Sequence, residues 1–314
     1  MLRTESVPNG ECTILMNVLL IAVCLIAGYS LRTCGILPRD AHKGINAWIL
    51  YIAFPAVALH YIPSIDWSFD LLVPLTMPFV VWCGAWLVLK LFSRRLRLDA
   101  GTYGGLLLTA GISNTSFIGF PLTQAYLGDE GLRIAVICDQ LTFIVISTLG
   151  VVSAIHTAHS GDVSIRKMAA GLLKFPPFVS FVAALSIPHF ISLAPLDPLL
   201  QTLAGTLIPL ALFSVGMQIR FSQWRKEAKF LALGLGYKLF IAPAIILALV
   251  LISGVRGIIA QATVFEAAMA PSITAAIIAG EYELNPKVSN LMASIGIMVS
   301  FATTALWWLL LRHV

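Results

Sequence analysis

Residues 113–122 read Ser-Asn-Thr-Ser-Phe-Ile-Gly-Phe-Pro-Leu and lie inside a run, residues 102–127, that carries no charged side chain. An uncharged run of this length is typical of a membrane-spanning helix. Its middle nevertheless holds four adjacent polar residues, and Pro121 removes a helical hydrogen bond. A break of this kind is tolerated in a bilayer only where the freed backbone faces protein or a watery cavity. The stretch therefore predicts an interrupted membrane helix.

A second stretch of the same kind, Ala-Ala-Met-Ala-Pro-Ser at residues 267–272, lies near the other end of the chain. Taken alone, either stretch is explained equally well by a kinked helix that packs through small residues. Two broken helices at corresponding places in the two halves are the sequence signature of a transporter binding site. The pair therefore favours a site where the two breaks meet.

The composition is that of a polytopic membrane protein. Of 314 residues, 59% are hydrophobic and 11% are charged, whereas about 25% of residues are charged in soluble domains. The pattern predicts an all-α membrane protein with ten transmembrane helices and short loops. The predicted spans cover approximately residues 13–31, 45–62, 71–92, 102–127, 134–158, 169–187, 199–219, 230–252, 258–279 and 288–311.

Basic residues predict the orientation of these spans. The odd-numbered loops hold thirteen Lys and Arg residues and the even-numbered loops hold two, Arg133 and Arg256. Loops rich in Lys and Arg stay in the cytoplasm. With ten spans, this asymmetry predicts that both termini lie outside the cytoplasm.

A linker at residues 159–167 divides the chain into five spans and five spans. Because each half has an odd number of spans, the second half must be inserted upside down relative to the first. Prolines recur in step in spans two, three and four and in spans seven, eight and nine, as Pro55, Pro78, Pro121, Pro209, Pro243 and Pro271. Residues 13–158 and 169–311 are therefore predicted to be inverted repeats.

The two broken stretches resemble those of the auxin efflux carrier family. The first match comprises Ser113-Asn114-Thr115, Gly119-Phe120-Pro121-Leu122 and Ala125-Tyr126-Leu127-Gly128. The second comprises residues 267–271, then Glu281-Tyr282 and Asn285-Pro286. Met269-Ala270-Pro271 departs from the doubled proline that is common in bacterial members. The family includes plant auxin exporters and bacterial proteins associated with malonate, malate and similar anions.

This resemblance implies two inverted five-helix repeats in which broken helices 4 and 9 cross. It also implies that a transport core of helices 3–5 and 8–10 moves against a scaffold of helices 1, 2, 6 and 7. The plant exporters carry a long central loop, whereas the loop here spans only residues 159–167. The chain is therefore similar to a compact, bacterial-type member.

The predicted substrate is an anion held where the breaks cross. Half-helix N-termini carry a positive partial charge and free N–H groups, which suit a carboxylate. Asn114 can donate through its amide, and Thr115 and Ser272 can donate hydroxyl protons. The candidate substrate-binding residues are Ser113, Asn114, Thr115, Pro121, Met269, Pro271 and Ser272.

Ionisable residues inside membrane spans are functional candidates because they are costly to keep there. Asp139 with its neighbour Gln140, Lys238 and Glu266 are the candidates for a coupling or pathway role. Glu266 and Lys238 are predicted to lie at similar depths, so that a proton- or cation-coupling Glu266 competes with a permanent Glu266–Lys238 structural pair. No metal-ligand cluster, nucleotide-binding loop or other cofactor motif is present in the sequence.

The favoured function is that of a secondary transporter, a permease or efflux carrier, for a small organic anion such as a mono- or dicarboxylate. The resemblance implies alternating access with an elevator-like core movement. A cation-coupled symporter or a sodium/proton antiporter is the alternative within transport. An intramembrane enzyme using Asp139 and Glu266 is the alternative from another class. Coupling to H⁺ or Na⁺ is compatible with the sequence, and no other cofactor is expected.

The expected partners are the organic anion and membrane lipid, with no nucleic acid, and a homodimer is compatible with the sequence. The expected location is the bacterial inner (plasma) membrane.

Overall fold

The computed structural model describes residues 10–38, 40–158, 173–219 and 224–312, and the single residues 166 and 171. Within these ranges the regular structure is helical, and the one strand-like contact is an isolated bridge between Ser113 and Pro271. Most of the predicted linker at residues 159–167 lies outside the described residues, as do Arg39, Lys167 and Arg220.

The α-helices follow one another through short turns and bulges. They are α1 (Gly10–Thr33), α2 (Ala41–Trp48), α3 (Phe54–Tyr61), α4 (Leu72–Leu96), α5 (Ala100–Gly111), α6 (Phe120–Val145), α7 (Val151–Ala158), α8 (Pro176–Ser186), α9 (Asp197–Gly205), α10 (Leu207–Gln218), α11 (Ala228–Gly236), α12 (Ala242–Ser253), α13 (Gly257–Ala267), α14 (Ile273–Glu281) and α15 (Pro286–Leu311).

Seven helical stretches in the described part of the chain are long and apolar enough to cross a membrane. They are Met16–Thr33, Ala41–Ser64, Phe69–Leu96, Thr115–Ala158, Ala194–Gln218, Trp224–Ser253 and Pro286–Leu311. The sequence predicts ten spans. The numbers seven and ten differ mainly because some predicted spans are broken into short helices and others are joined into one stretch. The half-helices α5, α13 and α14 are each too short to count alone. The second half of the first broken helix is joined to the next predicted span in Thr115–Ala158.

The stretch Thr115–Ala158 contains 44 residues, about 66 Å of helix, which is twice the thickness of a bilayer core of about 30 Å. It changes direction at Gly128, where φ is +69° and ψ is −166°. That backbone region is open essentially only to glycine. The sequence predicts a loop between residues 127 and 134, whereas the chain turns at this single glycine.

Three of the predicted helix-breaking prolines produce a bulge rather than a break. Pro55, Pro121 and Pro243 each lie two residues after the end of a five-residue π-helical segment: Ile49–Ala53, Thr115–Gly119 and Tyr237–Ile241. A proline cannot bond to the carbonyl four residues earlier, and in all three cases that carbonyl belongs to the π-helical segment. The wider turn accommodates the missing bond, and the helix continues.

The helices fall into two packing groups. The first consists of α1 on α10 and of α3 between α8 and α9. The second surrounds the broken helices and includes α4, α5, α6, α12, α13, α14 and α15. Aromatic pairs join the groups: Phe54 lies 5.6 Å from Phe120, and Phe143 stacks on Phe175 at 3.6 Å.

Candidate functional site

Both helices that are predicted to break are interrupted at the predicted places. The first leaves helical geometry after Gly111 and resumes at Thr115. The second ends at Ala267 and resumes at Ile273. Pro121 lies beyond the first break, in the opening turn of α6, so the polar block rather than the proline marks the interruption.

The two breaks satisfy each other's backbone groups. The Asn114 N–H donates to the Ala270 carbonyl at 2.8 Å, and the Ser272 N–H donates to the Ile112 carbonyl at 3.0 Å. The segments therefore run antiparallel and cross between Ser113 and Pro271. A buried backbone group without a partner is costly, and this exchange explains how two interruptions are tolerated inside a bundle of helices.

A cavity of about 280 Å³ lies against the crossing. Helices from both packing groups line it, since Asn46, Leu50 and Gln218 face residues of the two breaks. Its polar lining consists of Asn46, Ser113, Thr115, Ser116, Asp139, Thr142, Gln218, Ser272 and Thr274. The remaining lining residues are apolar, so polar groups are concentrated where the broken helices meet.

Two half-helices begin at this cavity. Thr115, Ser116 and Phe117 open the π-helical segment that leads into α6, and Ser272, Ile273 and Thr274 open α14. The first N–H groups of a helix have no partner within that helix. The Ser272 hydroxyl accepts from the Ala275 N–H, while the residues between them line the cavity. This arrangement directs two positive helix ends at one space.

The predicted substrate-binding residues divide into two sets. Ser113, Thr115 and Ser272 line the cavity. Asn114, Pro121, Met269 and Pro271 are buried at or behind the crossing and are not among the lining residues. The Ser113 hydroxyl and the Asn114 Nδ2 amide are buried and have no hydrogen-bond partner among the described residues.

The predicted pathway residues also divide into one that lines the cavity and three that do not. Asp139 lines the cavity, and its Oδ1 atom accepts a hydrogen bond of 2.5 Å from the Thr115 hydroxyl. Gln140, Lys238 and Glu266 are buried away from it. The Gln140 Oε1 atom finds no partner in the described part of the chain. Asp139 is thus the one of the four that faces the cavity.

Glu266 is held behind the crossing by the first broken helix. The Thr123 hydroxyl donates to its Oε1 atom at 2.6 Å, while its Oε2 atom is buried without a hydrogen-bond partner among the described residues. A Cβ placed on Gly119 would lie 2.4 Å from Oε2. Gly119 is therefore required for the close approach of this carboxyl group.

Lys238 does not form the salt bridge with Glu266 that the sequence suggests. Its Nζ atom donates to the carbonyl of Ala267 at 2.6 Å, and the salt bridges within the described ranges join His60 to Asp197 and Lys287 to Glu227. Ala267 is the last residue of α13, and a cation at a helix C-terminus is favourable. The lysine therefore caps the second break.

Several polar residues at the site are not predicted from the sequence. Asn46, Gln218 and Thr142 line the cavity, and Thr123 holds Glu266. Asn46 also accepts from the Ser214 hydroxyl at 2.5 Å. The one signal for them in the sequence is an amide or hydroxyl within an apolar span, which is too common in membrane helices to single them out.

A second cavity of about 370 Å³ adjoins the first and shares Gln218, Ile273 and Ile277 with it. His42 and Lys287 line this second cavity. The loops next to it carry the basic residues that predict the cytoplasmic side. Basic side chains therefore line the space next to the cavity at the crossing.

Comparisons with known proteins identify the family of the chain. The chain is 26% identical over 298 residues to an uncharacterized transporter of Methanothermobacter thermautotrophicus, covering 93% of this chain and 96% of that protein. It is also 26% identical over 310 residues to an uncharacterized transporter of Methanocaldococcus jannaschii, covering 94% and 98%. A family model described as membrane transport protein matches residues 13–308. The chain is an integral membrane protein that belongs to this transporter family, the auxin efflux carriers.

Proposed function

We propose that the protein is a secondary transporter of a small organic anion, such as a mono- or dicarboxylate, and that the anion binds in the cavity at the crossing. The observation that carries the proposal is the meeting of two half-helix N-termini at one polar cavity. N–H groups at helix ends bind carboxylates without a basic side chain. A cavity of about 280 Å³ is at the small end of ligand sites, which suits a small acid.

We further propose ten membrane spans in two inverted repeats, residues 13–158 and 169–311. The core would consist of spans 3–5 and 8–10 and would move like an elevator against spans 1, 2, 6 and 7. The two packing groups support this division, because α1, α3, α8, α9 and α10 pack among themselves. The cavity lies between the groups, so a sliding movement would carry its contents. The proposed location is the plasma membrane, with both termini outside.

Tracer uptake tests the proposed substrate class. The full-length protein is reconstituted in proteoliposomes and supplied with radiolabelled acetate, pyruvate, malonate or malate, with a neutral sugar and a quaternary amine as controls that carry no carboxylate. We expect uptake of at least one carboxylate, competed by unlabelled carboxylates and absent from protein-free vesicles. Uptake of the amine alone would contradict an anion site.

The second candidate is a cation-coupled symporter or sodium/proton antiporter. The orphaned Oε2 atom of Glu266 favours it, because a buried carboxylate oxygen without a donor is suited to a cation or a proton. Under this function, Glu266→Gln loses sodium-driven accumulation and retains exchange. Full sodium-driven accumulation in a folded variant would rule out that role.

The transporter family weighs against the intramembrane enzyme, and Asp139 and Glu266 are hydrogen-bonded to different threonines rather than to each other.

A further inference from the structure

Asp139 is the only ionisable side chain among the described residues that line the cavity at the crossing. It is more than nine-tenths buried, with 8% of its surface exposed. Its Oδ1 atom accepts from Thr115, the first residue of the half-helix that begins at the cavity. A carboxyl group and two anion-binding helix ends therefore share one small space.

This combination poses an electrostatic conflict for an anionic substrate. Two carboxylates that share a site with no cation between them cannot both remain ionised. Lys, Arg and His are absent from the described lining, so no side chain there supplies a balancing charge. One proton resolves the conflict, because a protonated carboxyl group donates a strong hydrogen bond to a carboxylate.

We infer that the protein transports a proton together with each organic anion, and that the two carboxyl groups at Asp139 share this proton. The inference rests on the proposed function. The proton arrives from water through the open side of the cavity and binds the Asp139 carboxylate. The anion then accepts a hydrogen bond from it, and both depart after the core has moved. The O–H bond that forms on the carboxyl group is broken when the proton is released, and no other covalent bond changes.

The surrounding charges support Asp139 as the proton carrier. Glu266, on α13, is near enough to interact electrostatically with Asp139, so a negative charge on it would oppose a further unprotonated anion. Neither neighbouring group balances the charge of Asp139. Cys138, the preceding residue on α6, is not a cation, and Lys238 donates to the Ala267 carbonyl instead. Residues that face the cavity from α2, α8 and α10 are uncharged, and His42 and Lys287 line the adjoining cavity instead.

Glu266 is a less suitable carrier for a proton that travels with the substrate. Its side chain is fully buried, it does not line the cavity, and Thr123 occupies its Oε1 atom. A proton on Glu266 would not touch the anion. Asp139 alone combines access to the cavity with contact to the half-helix that binds the substrate.

The experiment uses full-length protein in proteoliposomes and the carboxylate from the panel that is taken up. Two quantities are measured: accumulation of tracer driven by a pH gradient, and proton uptake reported by an internal pH dye when unlabelled carboxylate is added. For the wild type we expect accumulation of tracer on the alkaline side and an acid shift inside the vesicles that depends on substrate. Carboxylate uptake without either signal would overturn proton coupling and leave the proposed function intact.

Variants of Asp139 test whether this residue carries the proton. Asp139→Asn keeps a donor in the cavity, so we expect it to exchange internal for external carboxylate while losing at least tenfold in pH-driven accumulation. Asp139→Glu should retain coupling. The matched control is Asp66→Asn, the same change at an exposed acid away from the cavity, which should behave as wild type.

Full pH-driven accumulation in a folded Asp139→Asn variant would overturn the assignment. If that variant neither exchanges nor accumulates, Asp139→Glu decides: coupling with an altered pH profile supports the assignment, and an unaltered profile contradicts it. Absence of uptake of every carboxylate by the wild type would refute the proposed function itself.

Discussion

Asn114 carries an amide group whose buried Nδ2 atom has no hydrogen-bond partner in the described part of the chain. An unsatisfied buried donor costs about 1–3 kcal/mol. We propose that a bound ligand satisfies this amide, although Asn114 lies beside the lining residues Ser113 and Thr115 rather than among them. We expect Asn114→Ala to leave thermal stability unchanged or higher. We also expect it to raise the half-saturation concentration about tenfold, which corresponds to one hydrogen bond of about 1.4 kcal/mol.

Initial rates of tracer uptake at a series of concentrations measure this effect. Gln261→Ala is the matched control, because it removes an amide that donates to the Leu311 carbonyl at 3.1 Å, away from the cavity. The control should lower stability and leave half-saturation unchanged. If Asn114→Ala transports with wild-type half-saturation, the ligand does not contact this amide.

Gly119 offers a second test at the residue scale. A methyl group there would lie 2.4 Å from the Glu266 Oε2 atom, whereas one on Gly236 would meet no atom within 4 Å. Overpacking costs about 1–3 kcal/mol, and Ala in place of an unstrained helical Gly gains about 0.5–1 kcal/mol. We therefore expect Gly119→Ala to lower the thermal midpoint and Gly236→Ala to raise it. Thermal unfolding in detergent measures both midpoints. If Gly119→Ala unfolds at the same temperature as the wild type, Glu266 can move aside.

At the scale of helices, the pairing of prolines with π-helical segments leaves carbonyl groups that need donors. Pro243 frees the carbonyl of Leu239, and the indole N–H of Trp307 on α15 donates to it at 2.9 Å. We expect Trp307→Phe to destabilise the protein by about 1–3 kcal/mol, because the ring is largely kept and the buried carbonyl loses its donor.

The neighbouring Trp308 provides the control for this variant. Its ring packs against Tyr126 and Arg312 instead, so Trp308→Phe should have the smaller effect on the thermal midpoint. Equal midpoints for Trp307→Phe and the wild type would mean that another group satisfies the Leu239 carbonyl.

For the whole molecule, the distribution of basic residues predicts which end faces the cytoplasm. Single cysteines at Lys226 and Asp66 in a cysteine-free background should react with an impermeant maleimide from opposite sides. We expect Lys226→Cys to be labelled only from the cytoplasm and Asp66→Cys only from outside, since Lys and Arg loops remain inside. The reverse pattern would invert the predicted topology and would make the adjoining cavity an outer entrance.

The class of the protein and the location of its two breaks can be predicted from the amino-acid sequence alone. Both follow from local chemistry, because long uncharged runs are typical of membrane spans and the polar block at residues 113–116 disfavours a continuous helix there. The family follows from the same two stretches. The number of spans is harder to predict from the sequence, because the turn at a single residue, Gly128, has no loop-like composition.

Which residues contact one another across the bundle depends on its tertiary packing. Glu266 is bonded to Thr123, which is 143 positions away, and Lys238 caps Ala267 rather than pairing with Glu266. Asn46 and Gln218 join the cavity because α2 and α10 pack beside the crossing. Such contacts depend on the rotation and depth of each helix in the bundle. Packing against several neighbours sets those quantities at once, and no local pattern encodes them.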